Sequence, residues 1–135
     1  ARFSLADQES GVRPLAGVVY DMAECKTLIL KLGDRGVLTL ADSDKKSLDS
    51  YAVVDSFAEN VVDAVGAGDA LLAYATLAML ETGSPVTATI LGSMAAACEC
   101  EVDGNIPIRP QDVTEKLAAV ERHADFGAGN GIDNG

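Results

Sequence analysis

The sequence predicts a single α/β domain, in which helices pack against a sheet. The chain has 135 residues, of which 48% are hydrophobic, and this is enough for one sizeable core. Short apolar runs of strand length alternate along the chain with longer segments of helical character. No apolar run reaches the roughly 18 residues that a membrane-spanning helix needs, so we expect no membrane association.

The charge balance is strongly acidic and bears on the partners to expect. Lys plus Arg number 10 and Asp plus Glu number 21, which gives a formal net charge of -11. A surface of this sign repels phosphate backbones, so nucleic-acid binding through general electrostatics is not expected. The three cysteines, Cys25, Cys98 and Cys100, are an odd number without zinc spacing. We interpret them as reduced, mostly buried thiols of a cytoplasmic protein.

The first half of the chain is predicted to contain one helix and several short strands. Within residues 7–23, four apolar residues are spaced like one helix face: Leu15, Val18, Val19 and Met22. Residues 33–36 form a glycine-containing turn, and the polar residues 42–50 predict a surface loop. Runs of strand character flank these segments: 27–32, 37–40, 51–57 and, as a short extended piece, 61–62.

The second half begins with two predicted helices. Residues 70–80 are almost all apolar, which predicts a helix buried on most sides. Gly83 is expected to end this helix. Ser84 is a good N-cap and Pro85 a good first residue for a second helix, which extends through Ala97.

The remaining residues predict one further helix and a tail. Residues 104–105, Gly-Asn, turn the chain before an extended segment at 106–108. Pro110 opens a last, amphipathic helix. The Gly- and Asn-rich stretch 126–135 predicts a flexible tail, so the folded domain is expected to comprise residues 1–125.

The most informative stretch leads into the apolar helix and reads Asp63-Ala64-Val65-Gly66-Ala67-Gly68-Asp69. The first N–H groups of a helix have no partner within it and lie at the positive end of its dipole. A glycine-rich turn at this point is therefore a site for an oxyanion or phosphate. The carboxylate of Asp69 lies at the mouth of the site and can accept a proton from a hydroxyl. This pairing suggests phosphoryl transfer to an alcohol.

Ordinary turn chemistry is the alternative interpretation of the same residues. Asp is a common N-cap, and glycine-rich turns between strands and helices are frequent in α/β proteins. Other glycine motifs fit worse, because a Walker loop needs Gly-Lys-Ser/Thr and a dinucleotide fingerprint needs a small residue where the chain has Leu71. His123, the only histidine, lies on the last helix and is interpreted as a surface residue.

Two segments carry a family resemblance. The segment from Val62 to Ala70 resembles the C-terminal signature D-T-x-G-A-G-D of the ribokinase-like (PfkB) carbohydrate kinases. The segment from Leu30 to Val37 resembles that family's strand and turn before the nucleotide site. The order of the two segments agrees, and the resemblance covers nearly all of residues 1–123. It implies a ribokinase-like fold, here a partial three-layer α/β structure with a central sheet flanked by helices.

The resemblance also implies roles for individual residues. Asp69 corresponds to the catalytic base that takes the proton of the sugar hydroxyl. The anion hole, whose backbone N–H groups hold the transferred phosphoryl group, corresponds to Gly66, Ala67 and Gly68. The segment that lines ATP corresponds to Lys31, Gly33 and Gly36. The region that holds a monovalent cation such as K⁺ corresponds to Asp63 and the backbone of Val65. Gly104, also assigned to the ATP site, lies near the far side of that loop region.

The implied function is ATP-dependent phosphorylation of a sugar or sugar-like alcohol, with Mg²⁺ bridging the donor phosphates. The implied partners are the sugar and ATP, and the question whether the protein forms a homodimer stays open. The chain departs from the family at Ala64 and Lys31, where Thr is frequent, and at Ser93 or Met94, where the adenine-side helix usually has Asn. Family members are also much longer, since an N-terminal part supplies their sugar pocket.

The chain therefore resembles the nucleotide-binding, C-terminal half of such a kinase, with little or no activity expected of it alone. Two alternatives stay open: a non-catalytic module that binds a nucleotide or another anion, and part of a nucleoside kinase on the same scaffold.

Overall fold

The structure, a computed structural model, describes residues 11–41, 48–104 and 106–128. Within these ranges the chain forms four α-helices and three strands in the following order: α1 (Val12–Ala23), β1 (Leu28–Lys31), β2 (Val37–Leu40), β3 (Tyr51–Val54), α2 (Ala67–Thr82), α3 (Pro85–Cys100) and α4 (Pro110–Ala128). Each predicted helix is present, and so are three of the four predicted strand segments. The extended piece predicted at 61–62 is part of a loop.

The three strands form an antiparallel sheet in the order β1-β2-β3. The central strand β2 pairs along its whole length with both neighbours. All four of its residues are buried, as expected for a strand that has a helical layer on each face.

The two faces of β2 contact different helices. On one face, Val37 belongs to a core cluster with residues of α2 and α3, and the Oγ1 atoms of Thr39 and Thr89 form a buried hydrogen bond of 2.6 Å between β2 and α3. On the other face, α1 places the Arg13 guanidinium 4.5 Å from the ring centroid of Tyr51 in β3. Helices therefore flank the sheet on both sides, which confirms the predicted partial three-layer α/β fold.

Only one face of α2 is covered within the described part of the chain. This face contains Leu71, Ala75 and Ala78, which pack in the cluster that includes α3. The opposite face leaves three large apolar side chains uncovered: Leu72, Leu77 and Leu80 are 65%, 64% and 79% exposed. The prediction of a helix buried on most sides is therefore wrong. An almost uniformly apolar helix has little periodicity, so its sequence does not show which face is covered.

The large apolar residues that mark one face of α1 in the sequence do not form its buried face. Leu15, Val18 and Met22 are exposed, whereas the buried residues of this helix are Ala16 and Gly17. Small side chains allow α1 to lie close to the sheet, and the large apolar residues project away from it.

The boundary between α2 and α3 follows the predicted caps. Gly83 adopts the left-handed conformation and its N–H donates to the Met79 carbonyl at 2.9 Å. The hydroxyl of Ser84 accepts a hydrogen bond from the Thr87 N–H at 3.2 Å, and Pro85 is the first residue of α3. These boundaries are encoded by residues adjacent to them in the sequence.

Other boundaries differ from the predictions. β3 ends at Val54 and not at residue 57, and α4 continues to Ala128, three residues into the predicted tail. Several predicted segments lie partly outside the described residues: 1–10 of the predicted domain, which include the start of the segment 7–23, 42–47 of the loop, Asn105 of the turn and 129–135 of the tail. In the part of the chain that the structure describes, no helix has both the length and the apolar character needed to cross a membrane.

Candidate functional site at the N-terminus of α2

The glycine motif forms the N-cap and first turn of α2. Gly66 is the N-cap residue with a φ of 89°, a left-handed conformation that glycine adopts without steric cost. The helix begins at Ala67, so Gly68 and Asp69 both belong to its first turn. Among the described residues, none accepts a hydrogen bond from the amides of Gly66, Gly68 or Asp69. These three N–H groups are therefore available to an anion.

Ala67 differs from the other members of the predicted anion hole. Its amide donates to the carbonyl of Ala64 at 3.4 Å, so it closes the turn before the helix. The carbonyl of Gly66 accepts the N–H of Ala70 at 3.0 Å and so forms the first helical hydrogen bond. These two bonds fix the backbone around the three unpaired amides.

The loop that precedes the helix is held by Asp63 and by the end of α3. The Asp63 Oδ1 accepts a hydrogen bond from the Val65 N–H at 2.9 Å. The carbonyl of Cys100 accepts hydrogen bonds from the N–H groups of Val62 and Asp63, at 2.7 and 3.1 Å. The N–H of Val62 bonds to the end of α3 and not to a neighbouring strand, and the predicted extended piece at 61–62 is part of a loop.

Lys31 places a positive charge at the same turn. A Cβ atom built on Gly68 would lie 2.8 Å from Lys31 Nζ, so the ammonium group lies against the first turn of α2. Lys31 is the last residue of β1, and the sequence left open whether it is only a surface lysine at a strand end. The ammonium and the unpaired amides combine into one positively charged site.

A pocket of about 270 Å³ opens beside this turn. It lies between the β1–β2 turn, the loop after β3, the start of α2 and one face of α3. Three of the four positions predicted to contact ATP line it: Lys31, Gly33 and Gly36. The fourth, Gly104, lies outside the lining and turns the chain after α3 with a φ of 83°.

Asp69 lies on the other side of the turn. Its side chain is exposed and lines a shallow recess along the uncovered face of α2, together with Leu72, Ala73, Thr76 and Leu77. The unpaired amides therefore have a pocket on one side and a carboxylate on the other. A phosphoryl group bound by the amides would be within reach of a hydroxyl that binds beside Asp69.

The described residues offer a limited set of metal ligands. No group of three or more His, Cys, Asp or Glu side chains lies close enough together in these ranges to hold a metal ion. Magnesium in phosphoryl-transfer sites uses only one or two carboxylates and otherwise binds phosphate oxygens and water, so that chemistry does not need such a group. The Val65 carbonyl accepts no hydrogen bond from the described residues and offers an oxygen ligand beside the Asp63 carboxylate.

The cysteines are free thiols, as the sequence predicts, but all three are half-buried, so the expectation that they are mostly buried is wrong. Burial is the main cause that raises the pKa of both Cys98 and Cys100. At Cys100 the positive charge of Lys31, which lines the same pocket, opposes this shift. A raised pKa keeps a thiol protonated and poorly nucleophilic at neutral pH.

Ser93 and Met94 were the two candidates in the sequence for the position where the adenine-side helix of the family usually has Asn, and of these two residues Ser93 lines the pocket. It is buried and lines the pocket from α3, and its Oγ has no hydrogen-bond partner among the described residues. The signal that was present is helical spacing, because Ser93, Ala97 and Cys100 follow one another at intervals of four and three residues and all line the pocket.

A family model and solved structures of two kinases are similar to this chain. The model of the pfkB family carbohydrate kinases matches residues 7–112. Among solved structures, a microbiome-derived acarbose kinase has a TM-score of 0.67 and 19% sequence identity to this chain. The matched region covers 80% of this chain and 37% of the acarbose kinase. A ligand-free nucleoside kinase from Burkholderia thailandensis has a TM-score of 0.60 and 19% sequence identity. Here the matched region covers 77% of this chain and 36% of the nucleoside kinase.

This chain spans just over a third of the length of the two kinases. At this level of identity the likeness concerns the fold, and it confirms the fold predicted from the sequence motifs. No curated protein matches the sequence significantly.

Proposed function

Because the chain belongs to the pfkB family of carbohydrate kinases, we propose that it carries the phosphoryl-donor site and the catalytic base of a kinase. The donor is ATP, and the acceptor is a hydroxyl of a sugar or sugar-like molecule. The family and the kinase fold support phosphoryl transfer, and the site at the start of α2 supports the assignment of roles to residues.

The observation that carries the proposal is the position of the Lys31 ammonium against Gly68, next to unpaired amides. Negative charge on the transferred phosphoryl group is stabilised by N–H groups that already point at it, since no reorganisation is needed during the reaction. Lys31 adds a full positive charge at the same turn. The pocket that Lys31, Gly33 and Gly36 line receives the rest of the nucleotide.

Asp69 acts on the acceptor in this proposal. Its exposed carboxylate accepts the proton of the attacking hydroxyl as the bond to phosphorus forms. When bound with the nucleotide, Mg²⁺ would neutralise negative charge on the donor phosphates. Asp63 and the Val65 carbonyl are proposed to hold a monovalent cation, which would support the loop beside the anion site.

A nucleoside acceptor is the second candidate function. The fold likeness to the Burkholderia nucleoside kinase favours it, because that likeness is nearly as close as the one to the acarbose kinase. The difference between the two functions lies in the acceptor site, whereas the donor site and Asp69 serve both.

Two measurements together test the proposal. Calorimetric titration of this chain with ATP and Mg²⁺ should show saturable binding. In the natural full-length protein, a screen of sugars and nucleosides for acceptor-dependent ADP release should then identify the acceptor class. ADP release with nucleosides alone would select the second candidate. Binding of ATP without ADP release for any acceptor would make the chain a binding module, and failure to bind ATP would contradict the proposed donor site.

Replacing Lys31 with Met should weaken ATP binding about tenfold, because a charge-assisted contact to phosphate is lost. The loss should be larger at low than at high salt, since the side chain is exposed and screened by ions. Lys26→Met is the matched control: it removes the same charge from an exposed lysine just before the opposite end of β1. Equal affinities for the two variants in calorimetry would show that Lys31 does not contact the phosphates.

A further inference from the structure

The loop between β3 and α2, residues 55–66, forms one wall of the pocket beside α2. Other residues of this loop attach it to the rest of the protein. The Phe57 side chain packs on a core cluster formed by α3 and α4, and the N–H groups of Val62 and Asp63 donate to the Cys100 carbonyl. The residues that line the pocket alternate with these attachments along the loop: Ser56, Ala58, Val61 and Ala64.

A carboxylate attaches the middle of this loop. Oε1 of Glu101, the residue that caps the end of α3, accepts a hydrogen bond from the Glu59 N–H at 2.8 Å. A hydrogen bond to an ionised acceptor is roughly twice as strong as one between neutral groups. Ala58 and Val61 lie on either side of the attached amide in the sequence. Release of this amide would therefore free the part of the wall that these two residues form.

Lys116 of α4 holds the same carboxylate oxygen. Its Nζ lies 2.7 Å from Glu101 Oε1, so one oxygen receives both the ammonium group and the loop amide. The side chains of Lys116 and Glu101 are 11% and 26% exposed. Ions in solution screen such a pair less than an ion pair on the open surface. The ammonium therefore orients the carboxylate towards the loop at ordinary ionic strength.

We infer that Glu101, oriented by Lys116, is a positioning residue of the donor site, and that its carboxylate holds the loop wall in the conformation that receives the nucleotide. The inference rests on the proposed function, because it takes the pocket beside α2 to be the donor site. Glu101 is not among the described residues that line this pocket, and it lines a separate cleft against α4. It therefore acts through the loop and not through contact with the ligand.

The expected effect follows from the population of the attached loop. When a binding-competent conformation is present only part of the time, the apparent affinity falls by that fraction. Bound ATP would in turn favour the attached conformation, so the chemical step should change little once the nucleotide is bound.

Calorimetric titration of this chain and three variants with ATP and Mg²⁺ tests the inference. Glu101→Ala removes the acceptor and should raise the Kd for ATP about tenfold. Glu101→Gln retains an oxygen that accepts the Glu59 N–H, so its Kd should stay within about threefold of wild type. Tyr74→Phe is the matched control, because it removes another hydrogen bond between distant elements, from the Tyr74 hydroxyl to the Ile108 carbonyl at 2.9 Å. Its Kd for ATP should not change.

Amide hydrogen exchange separates positioning of the loop from a general loss of stability. Glu101→Ala should speed exchange about tenfold or more at Val62 and Asp63 as well as at Glu59, although the Cys100 carbonyl is retained. Exchange within α2 and α3 should change much less, whereas a general loss of stability would speed it to the same degree. In the natural full-length protein, Glu101→Ala should raise the KM for ATP and leave kcat within about threefold of wild type.

Failure of this inference is distinguishable from failure of the proposed function. If the wild-type chain binds ATP and the folded Glu101→Ala variant binds it equally well, Glu101 does not position the loop and the donor site stands. An equal loss of affinity in Glu101→Ala and Tyr74→Phe would overturn the inference in the same way. If the wild-type chain binds no ATP, the proposed donor site is itself wrong and the inference falls with it.

A measurement on the wild-type chain decides the matter if Glu101→Ala does not fold. Saturation with ATP should slow hydrogen exchange at Glu59, Val62 and Asp63 together, because the nucleotide favours the attached loop. Saturable ATP binding that leaves exchange at these three amides unchanged would contradict the inference.

Discussion

Replacing Asp69 with Asn should lower kcat by about 10²- to 10⁴-fold, the usual contribution of a general base. The amide has nearly the shape of the carboxylate but does not take up the proton of the acceptor hydroxyl. Affinity for ATP should stay within about twofold of wild type, because Asp69 lines the recess on the opposite side of the turn from the nucleotide pocket. Loss of kcat with retained ATP affinity is the signature of a group that acts only in the chemical step.

The measurement is a steady-state assay of ADP release in the natural full-length protein, with the acceptor that the screen identifies. Glu81→Gln is the matched control, since it removes an exposed carboxylate near the other end of the same helix and should leave kcat unchanged. Near-normal turnover of the Asp69→Asn variant, or a similar loss in both variants, would refute the assignment of Asp69 as the base.

Replacing Gly36 with Ala should destabilise the domain by about 3 kcal/mol or more. Gly36 has a φ of 87° and a ψ of -134°, a combination that residues with a Cβ atom rarely adopt. The added Cβ would overlap the carbonyl oxygen of Val54 and lie 2.8 Å from the carbonyl carbon of Asp55. Both contacts are with backbone, so the end of β3 would have to move away from β2.

Gly33→Ala provides the comparison for this effect. Gly33 also has a positive φ, of 67°, but a Cβ at this position meets nothing within 4 Å. It should therefore cost only the backbone strain of about 1–2 kcal/mol. Urea denaturation followed by circular dichroism measures both free energies of unfolding. If the two variants lost the same stability, the close approach of Val54 to Gly36 would be contradicted.

Gly36 thus has a structural reason to be glycine, whatever it contacts in a ligand. The family resemblance assigned it to the ATP site, and it does line the pocket. Its conformation is nevertheless required to join β1 and β2, since the Leu32 N–H donates to the Gly36 carbonyl at 2.8 Å across the turn. A contact between Gly36 and ATP stays a prediction.

Local sequence signals predicted the element boundaries that depend on adjacent residues. Gly83, Ser84 and Pro85 end one helix and begin the next as expected, because capping involves groups only a few residues apart. The covered face of α2 was predicted wrongly, since a helix apolar on all sides carries no directional signal. The loop at 61–62 depends on the carbonyl of Cys100, a partner that is distant in sequence.

In the candidate site, too, features that depend on adjacent residues were predicted, whereas contacts between distant elements were not. Glycines followed by an apolar helical run are a local pattern, and they predicted unpaired amides at the start of a helix. The approach of Lys31 to Gly68 joins the end of β1 to the start of α2, so it depends on packing between elements. From the sequence, Lys31 could be interpreted either as a phosphate contact or as a surface lysine. Only the fold brings its ammonium group to the glycine turn. The buried hydroxyl of Ser93 likewise follows from the packing of α3.

The proposal that the first amides of α2 hold the phosphoryl group is best tested by ¹H–¹⁵N NMR of this chain during titration with ATP and Mg²⁺. The largest saturable shifts are expected at the amides of Gly66, Gly68 and Asp69, and they should diminish in the Lys31→Met variant. Saturable binding that leaves these three amides unshifted, with changes confined to another part of the molecule, would contradict the proposal.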